Sequence, residues 1–165
     1  MSQIAAFQKE LEREALTTRK MLSIIPNDKY DWKPHEKSMT VKSLSTHLAD
    51  IFSWFNLVLK TSELDFAANP YQPDDINNTA ELMTLFEKKL VEGRTALANG
   101  NDEQLTDTWS LRNGATIYST EPKYDVIRMC FGQIIHHRAQ LGVFLRLLNV
   151  PIPGSYGPSA DDMNF

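Results

Sequence analysis

The sequence predicts an all-α chain: a bundle of four long helices carrying a small two-stranded appendage. Three observations lead there. Four segments repeat apolar residues at three- and four-residue steps, the period of an amphipathic helix. A connection of 18 residues, Lys60 to Asn77, separates the second helix from the third. An Asn113-Gly114 pair lies between two short alternating runs ahead of the fourth.

The first helix runs from about Ser2 to Ile25 on the stripe Ile4, Phe7, Leu11, Ala15, Thr18, Leu22 and Ile25. Pro26 ends it, because proline disfavours helical backbone in the residue before it. The second opens behind Thr40, whose hydroxyl can accept a first-turn N–H, with Met39 and Leu44 at the flanking positions of a hydrophobic staple. Its apolar face is Leu44, Leu48, Ile51, Phe55 and Val58. At ~3.3 Å per residue the connection after it could span ~60 Å, roughly twice the length of a 19-residue helix. It can therefore cross the bundle, leaving helices two and three parallel rather than paired as a hairpin. Asn78 with Glu81 forms a capping-box pattern for the third helix, whose face is Leu82, Phe86, Leu90, Gly93 and Leu97, and Asn99-Gly100 stops it. Glycine costs about 1 kcal/mol in a helix interior, so Gly93 points to close packing. Asn113-Gly114 between Trp109–Leu111 and Ala115–Tyr118 is a hairpin signal. The fourth helix begins around Glu121-Pro122 and carries the most regular seam: Ile127, Cys130, Ile134, His137, Leu141, Phe144 and Leu148.

Composition narrows the function classes. The chain has 165 residues, 42% apolar and 23% charged, which suits one domain spanning 1–165. A net charge of −4 offers no basic field for phosphates, so nucleic-acid partners are not expected. No run approaches the ~20 apolar residues of a membrane span, and the polar N-terminus has no signal-peptide core. Cys130 is the single cysteine, excluding an intramolecular disulfide and a cysteine-based zinc knuckle. A cytoplasmic protein with small-molecule or protein partners is the expectation.

Candidate chemistry gathers on two helices. His137 falls near the centre of the fourth helix's apolar stripe, with Gln133 one turn earlier at its edge, while His136 points roughly 120° away. His47 borders the apolar face of the second helix, with Asp50 and Trp54 further along the same side. Facing helices in bundles build metal sites this way, and imidazole suits zinc, nickel, iron or copper. The seam by itself requires only that His137 be satisfied by a metal, a partner side chain or water. Asp50 could orient His47 as an acceptor, or be solvated. Arg138 and Gln140 brace the site or a partner helix, or reach solvent; Trp32 and Trp109 cover the bundle ends. Cys130 on the seam is an inert apolar group. There is no phosphate-binding glycine loop, nucleophile elbow or HExxH.

The stretch Gln133-Ile134-Ile135-His136-His137-Arg138-Ala139-Gln140-Leu141 resembles the fourth-helix signature of the DinB-like family of metalloenzymes: a histidine, three residues, then His-Arg-Gly-Gln. Asp31-Trp32-Lys33-Pro34, Ser38, Leu44 and His47-Leu48 resemble the approach to that family's second-helix histidine. The tail from Pro151 to Asp161, including Tyr156, is similar to the ending of one subgroup. The resemblance implies an up-down-down-up bundle and a divalent metal, zinc or nickel, on one second-helix and two fourth-helix histidines. It implies thiol-dependent isomerase or S-transferase chemistry with a low-molecular-weight thiol as cosubstrate, and a homodimer; the expectation for this chain is a thiol transferase or hydrolase acting on a small electrophile. Mapped onto this chain, the metal ligands are His47, His137 and Gln133. Gln133 stands where the family has histidine, and an amide oxygen is a weaker donor than imidazole. Ala139 replaces the motif's glycine. The departure at Gln133 opens a second expectation: a metal-free relative, binding a small molecule or dimerising in a stress response.

Overall fold

The computed structural model describes residues 2–70 and 72–163. Its helices are α1 (Gln3–Ser23), α2 (Val41–Ile51), α3 (Trp54–Lys60), α4 (Thr79–Asn99) and α5 (Lys123–Leu147), and its strands are β1 (Glu63–Asp65), β2 (Thr108–Asn113) and β3 (Thr116–Pro122). The architecture is mostly helical, as expected, with five helices in place of four and a three-stranded sheet in place of the two-stranded appendage. α1 and α2 each pack against both α4 and α5. The core sits between them, filled by Leu11, Leu22, Leu44, Leu48, Phe55, Phe86, Phe131 and Ile134.

Helix starts follow local chemistry. The Thr40 hydroxyl accepts the Ser43 N–H at 3.0 Å, and Asn78 Oδ1 accepts the Glu81 N–H at 2.9 Å. Glu81 reaches back to the Asn77 N–H, completing a capping arrangement one residue earlier than the usual box. Ser2 caps α1 through Ala5. Asn149, at φ 58°, closes α5: its N–H donates to Arg146 O and the Val150 N–H to Leu145 O, a Schellman pair.

Two helices differ from expectation. The second predicted helix is broken into α2 and α3, with Phe52 and Ser53 between them. Ser53 Oγ donates to Asp50 O at 2.8 Å, and backbone bonds there shorten to three-residue steps. The break brings the Phe52 carbonyl onto α4 at Gly93, where a Cβ would stand 2.1 Å from that oxygen. Gly93 thus marks a close helix approach. At the other end of the sequence, Pro122 belongs to β3, and α5 starts directly after it without a loop. Lys123 secures that junction: its N–H donates to Asp107 O and its buried ammonium to Leu59 O.

The sheet order is β1-β2-β3. β2 and β3 form the expected antiparallel hairpin, turning through Gly114 at φ +57°, with an irregularity at Leu111/Arg112. The unexpected member is β1, which lies in the long connection and pairs parallel to β2, Leu64 opposite Leu111. Asp65 fixes it there by accepting the Gly114 N–H at 2.8 Å. Trp109 is buried beneath the sheet, its indole N–H donating to Thr61 at 3.0 Å. Trp32 packs edge-on to Phe144 near the other end of α5. Among the described residues, no helix is long and apolar enough to cross a membrane.

Candidate functional site

α2 and α5 pack together, and their contact brings His47 and His137 ring to ring. The centroids are 4.8 Å apart with the planes at 73°. Trp54, from α3, stands edge-on to His47 at 6.2 Å. His137 Nδ1 lies 3.0 Å from Gln140 Oε1, one turn ahead on α5. With Nδ1–H donating to that oxygen, Nε2 carries the lone pair. Burial pushes the pKa of His47 down, and the neighbouring His137 adds to this against the pull of Asp50. Burial also lowers His137, with His136 adding to the effect and the Gln140 bond opposing it. Both shifts favour the neutral imidazole.

The centroid separation of the ring pair matches that of two imidazole donors on one metal ion. Two imidazoles bound at about 2.1 Å with a near-tetrahedral angle have centroids about 5 Å apart. A metal histidine is usually oriented by a carboxylate, backbone carbonyl or water on its far nitrogen, and the Gln140 amide oxygen stands in the corresponding place beside His137. The third donor is the weak point. Gln133 is half-buried on the same helix, one turn before His137, and no group of three His, Cys, Asp or Glu able to hold a metal occurs among the described residues.

Several neighbours differ from the sequence reading. The Asp50 carboxylate is paired with the Lys89 ammonium of α4 at 2.8 Å, rather than solvated. His136 is exposed, yet its ring centroid is 4.9 Å from that of His137, closer than a face 120° off the stripe suggested. Consecutive helical residues diverge at Cβ, but long side chains can lean together. Gln140 braces the site. Arg138 braces a partner helix instead: it is buried, only 2% exposed, and reaches α1.

There Arg138 builds a polar cluster the sequence did not reveal. Its guanidinium donates to Glu14 Oε2 at 2.6 Å, to Thr18 at 3.2 Å, and to Ser155 and Tyr156 of the tail. The Tyr156 hydroxyl donates to the other Glu14 oxygen at 2.8 Å. Glu14 was missed, although its position three after Leu11 and four before Thr18 puts it on the apolar stripe of α1. Asp161 pairs with Arg146 and accepts the Ile152 N–H, holding the tail along α5. A cleft of about 640 Å³ lies between that tail and α5, and neither His47 nor His137 lines it. Cys130 is buried on the seam, its thiol pushed up to about 12 by desolvation.

The fold is shared with known proteins. A DinB-like protein from Bacillus subtilis matches with a TM-score of 0.72 at 19% identity, covering 91% of this chain and 97% of its own. A DinB-like protein from Bacillus cereus matches with a TM-score of 0.68 at 17% identity, covering 93% and 99%. A third structure, from Exiguobacterium sibiricum and ascribed to the DinB family, has a TM-score of 0.64 at 19% identity, covering 92% and 95%. No curated protein matches the sequence. The sequence itself fits the DinB family over residues 1–164, with the fourth-helix and tail segments inside that span. The chain belongs to the DinB family.

Proposed function

We propose that this chain is a divalent-metal-dependent enzyme, a thiol transferase or hydrolase acting on a small electrophile, in a four-helix up-down-down-up frame. The observation that carries the reading is the ring-to-ring placement of His47 and His137, with Gln140 within hydrogen-bond distance of His137 Nδ1. His47 and His137 would hold zinc or nickel, with the Gln133 amide oxygen as a weak third donor. The bound ion would supply positive charge that lowers the pKa of a thiol or water at neutral pH. The chain's own residues prepare for this by burial, which keeps both imidazoles neutral and able to donate. Trp54 limits the motion of the His47 ring from the side. The electrophile and a low-molecular-weight thiol are the substrates in this reading. Homodimer formation fits the exposed apolar side chains Val143 and Leu147 on the outer face of α5.

Gln133 and the lack of a three-ligand cluster among the described residues favour a second reading. In it the histidine pair is a neutral hydrogen-bonding element of a metal-free protein that binds a small molecule or dimerises. Elemental mass spectrometry of untagged protein, before and after chelation and reloading with zinc or nickel, separates the two. Near one metal per chain, lost in His47→Ala and in His137→Ala, is expected for the enzyme. Metal well below stoichiometric after reloading would overturn it in favour of the second reading. Gln133→His should raise zinc affinity at least tenfold by restoring an imidazole donor; unchanged affinity would mean that the scaffold no longer presents a ligand position there.

A further inference from the structure

Beside the histidine pair, and not lined by it, a cleft of about 500 Å³ opens between α3, α4 and the stretch 61–69 that contains β1. That size suits a small molecule. Trp54 and Leu57 of α3, with Leu64 and Phe66 from the β1 stretch, give it an apolar and aromatic lining. The indole of Trp54 is half-buried, so part of it faces the opening.

The charges on the cleft fall into two kinds. Asp50 and Lys89 neutralise each other at 2.8 Å, with side chains only 14% and 18% exposed. The Asp50 carboxylate holds the Lys89 ammonium above its ordinary value against the burial that would lower it. Lys60, the last residue of α3, and Glu92, on α4, also line the cleft. Neither makes an ion pair or a side-chain hydrogen bond among the described residues. Glu92 acts on Lys89 only at longer range. One uncommitted cation and one uncommitted anion therefore share a cavity with an aromatic wall.

A ligand with one sign of charge would complement half of that arrangement and leave the other charge to water. A ligand carrying both signs complements all of it. We propose that this cleft binds a zwitterionic small molecule with a large apolar group, the chemistry of a free aromatic amino acid. The carboxylate lies toward Lys60, the ammonium toward Glu92, and the apolar group on Trp54 and Phe66. The inference does not depend on a metal at the histidine pair, so the two can fail separately.

The test uses the full-length protein in EDTA, with L-phenylalanine as the probe and phenethylamine and 3-phenylpropanoate as its singly charged analogues. Binding is read by titration calorimetry and by tryptophan emission, to which Trp54 contributes from the cleft wall. L-phenylalanine is expected to bind at millimolar or better affinity, with both analogues at least tenfold weaker. Lys60→Gln should weaken L-phenylalanine by the same factor and leave phenethylamine unchanged. Glu92→Gln should do the converse, sparing 3-phenylpropanoate. Lys60 is exposed and Glu92 half-buried, and unchanged melting of the variants confirms that they fold. Equal binding of the three probes, or variants that weaken all three alike, would overturn the zwitterion assignment. No heat and no emission change at about 10 mM L-phenylalanine, where a millimolar site is mostly filled, would overturn the site.

Discussion

Replacing Gly93 with alanine tests the contact between α4 and the break at Phe52. In an exposed helix interior this change stabilises by about 1 kcal/mol through backbone entropy. Here the added Cβ would stand 2.1 Å from Phe52 O and 3.3 Å from both Phe52 C and Phe55 Cδ2. An ordinary carbon–oxygen contact is ~3.2 Å, so one helix must move by about 1 Å, and the atom in the way is backbone. Overpacking a core typically costs 1–3 kcal/mol, and a rigid backbone obstacle places this case at about 3. Subtracting the propensity gain leaves a net loss of about 2 kcal/mol. For a chain of this size that lowers the melting temperature by about 4–8 °C. Gly132 supplies the internal control: it lies within α5, and a Cβ there meets nothing within 4 Å. Gly132→Ala should raise stability by about 0.5–1 kcal/mol. Urea denaturation with thermal melts reads both variants. A Gly93→Ala protein as stable as the parent would refute the close approach of the Phe52 carbonyl.

Other outcomes follow from buried groups. Arg138→Met leaves Glu14 as an unpaired buried carboxylate and should cost about 3–5 kcal/mol in urea unfolding, while adding Glu14→Leu should recover most of that loss; no recovery would mean that the cost lies in packing instead. The His47 and His137 imidazoles bind protons more weakly in the native chain than in the unfolded one. Their contribution to stability is thus full above about pH 6.5 and is lost as the pH falls below it. In EDTA, melts from about pH 8 to pH 5 should show that decline, and the His47→Gln, His137→Gln double variant should flatten it. Cys130, raised to about 12 by burial, should resist a thiol-reactive disulfide reagent at pH 8 and react on unfolding; fast reaction of the native protein would place the thiol in solvent.

Signals that reside within a few residues were legible in the sequence. Thr40 and Asn78 announce their helices because a capping side chain needs only the N–H three residues ahead. Asn113-Gly114 marks the hairpin, since a positive φ is a local demand. The apolar stripes of α2 and α5 put His47 and His137 on helix faces turned to the core, the family resemblance paired them, and the packing of the two helices brings their rings together. Long-range choices left no such trace. β1 is three residues long, too short to show alternation, and its partner is 47 positions away at Glu63 and Ser110. The break at Phe52 and Ser53 interrupts an unbroken apolar period, and its signature is the glycine it approaches on another helix. Asp50 had two possible partners on geometry, and only the packing of α4 supplies Lys89. Arg138 shows the same limit. A charge next to a motif suggests a role at the motif, yet one residue further along a helix faces about 100° away.

The Glu14–Arg138–Tyr156 cluster also bears on how the chain is made. Residues 14 and 138 are separated by 124 positions, and 14 and 156 by 142. A ribosome adding about 5–20 residues per second needs roughly 6–25 s to reach Arg138 after Glu14. Throughout that interval the α1 stripe carries an unneutralised carboxylate in its middle. The charge hinders nascent α1 from burying that stripe in the wrong place or against another emerging chain. Only when the last helix and the tail are released does the arginine arrive to cancel it. The cluster thus ties the first helix to residues made more than a hundred positions later, so this closure cannot precede the emergence of α5 and the tail.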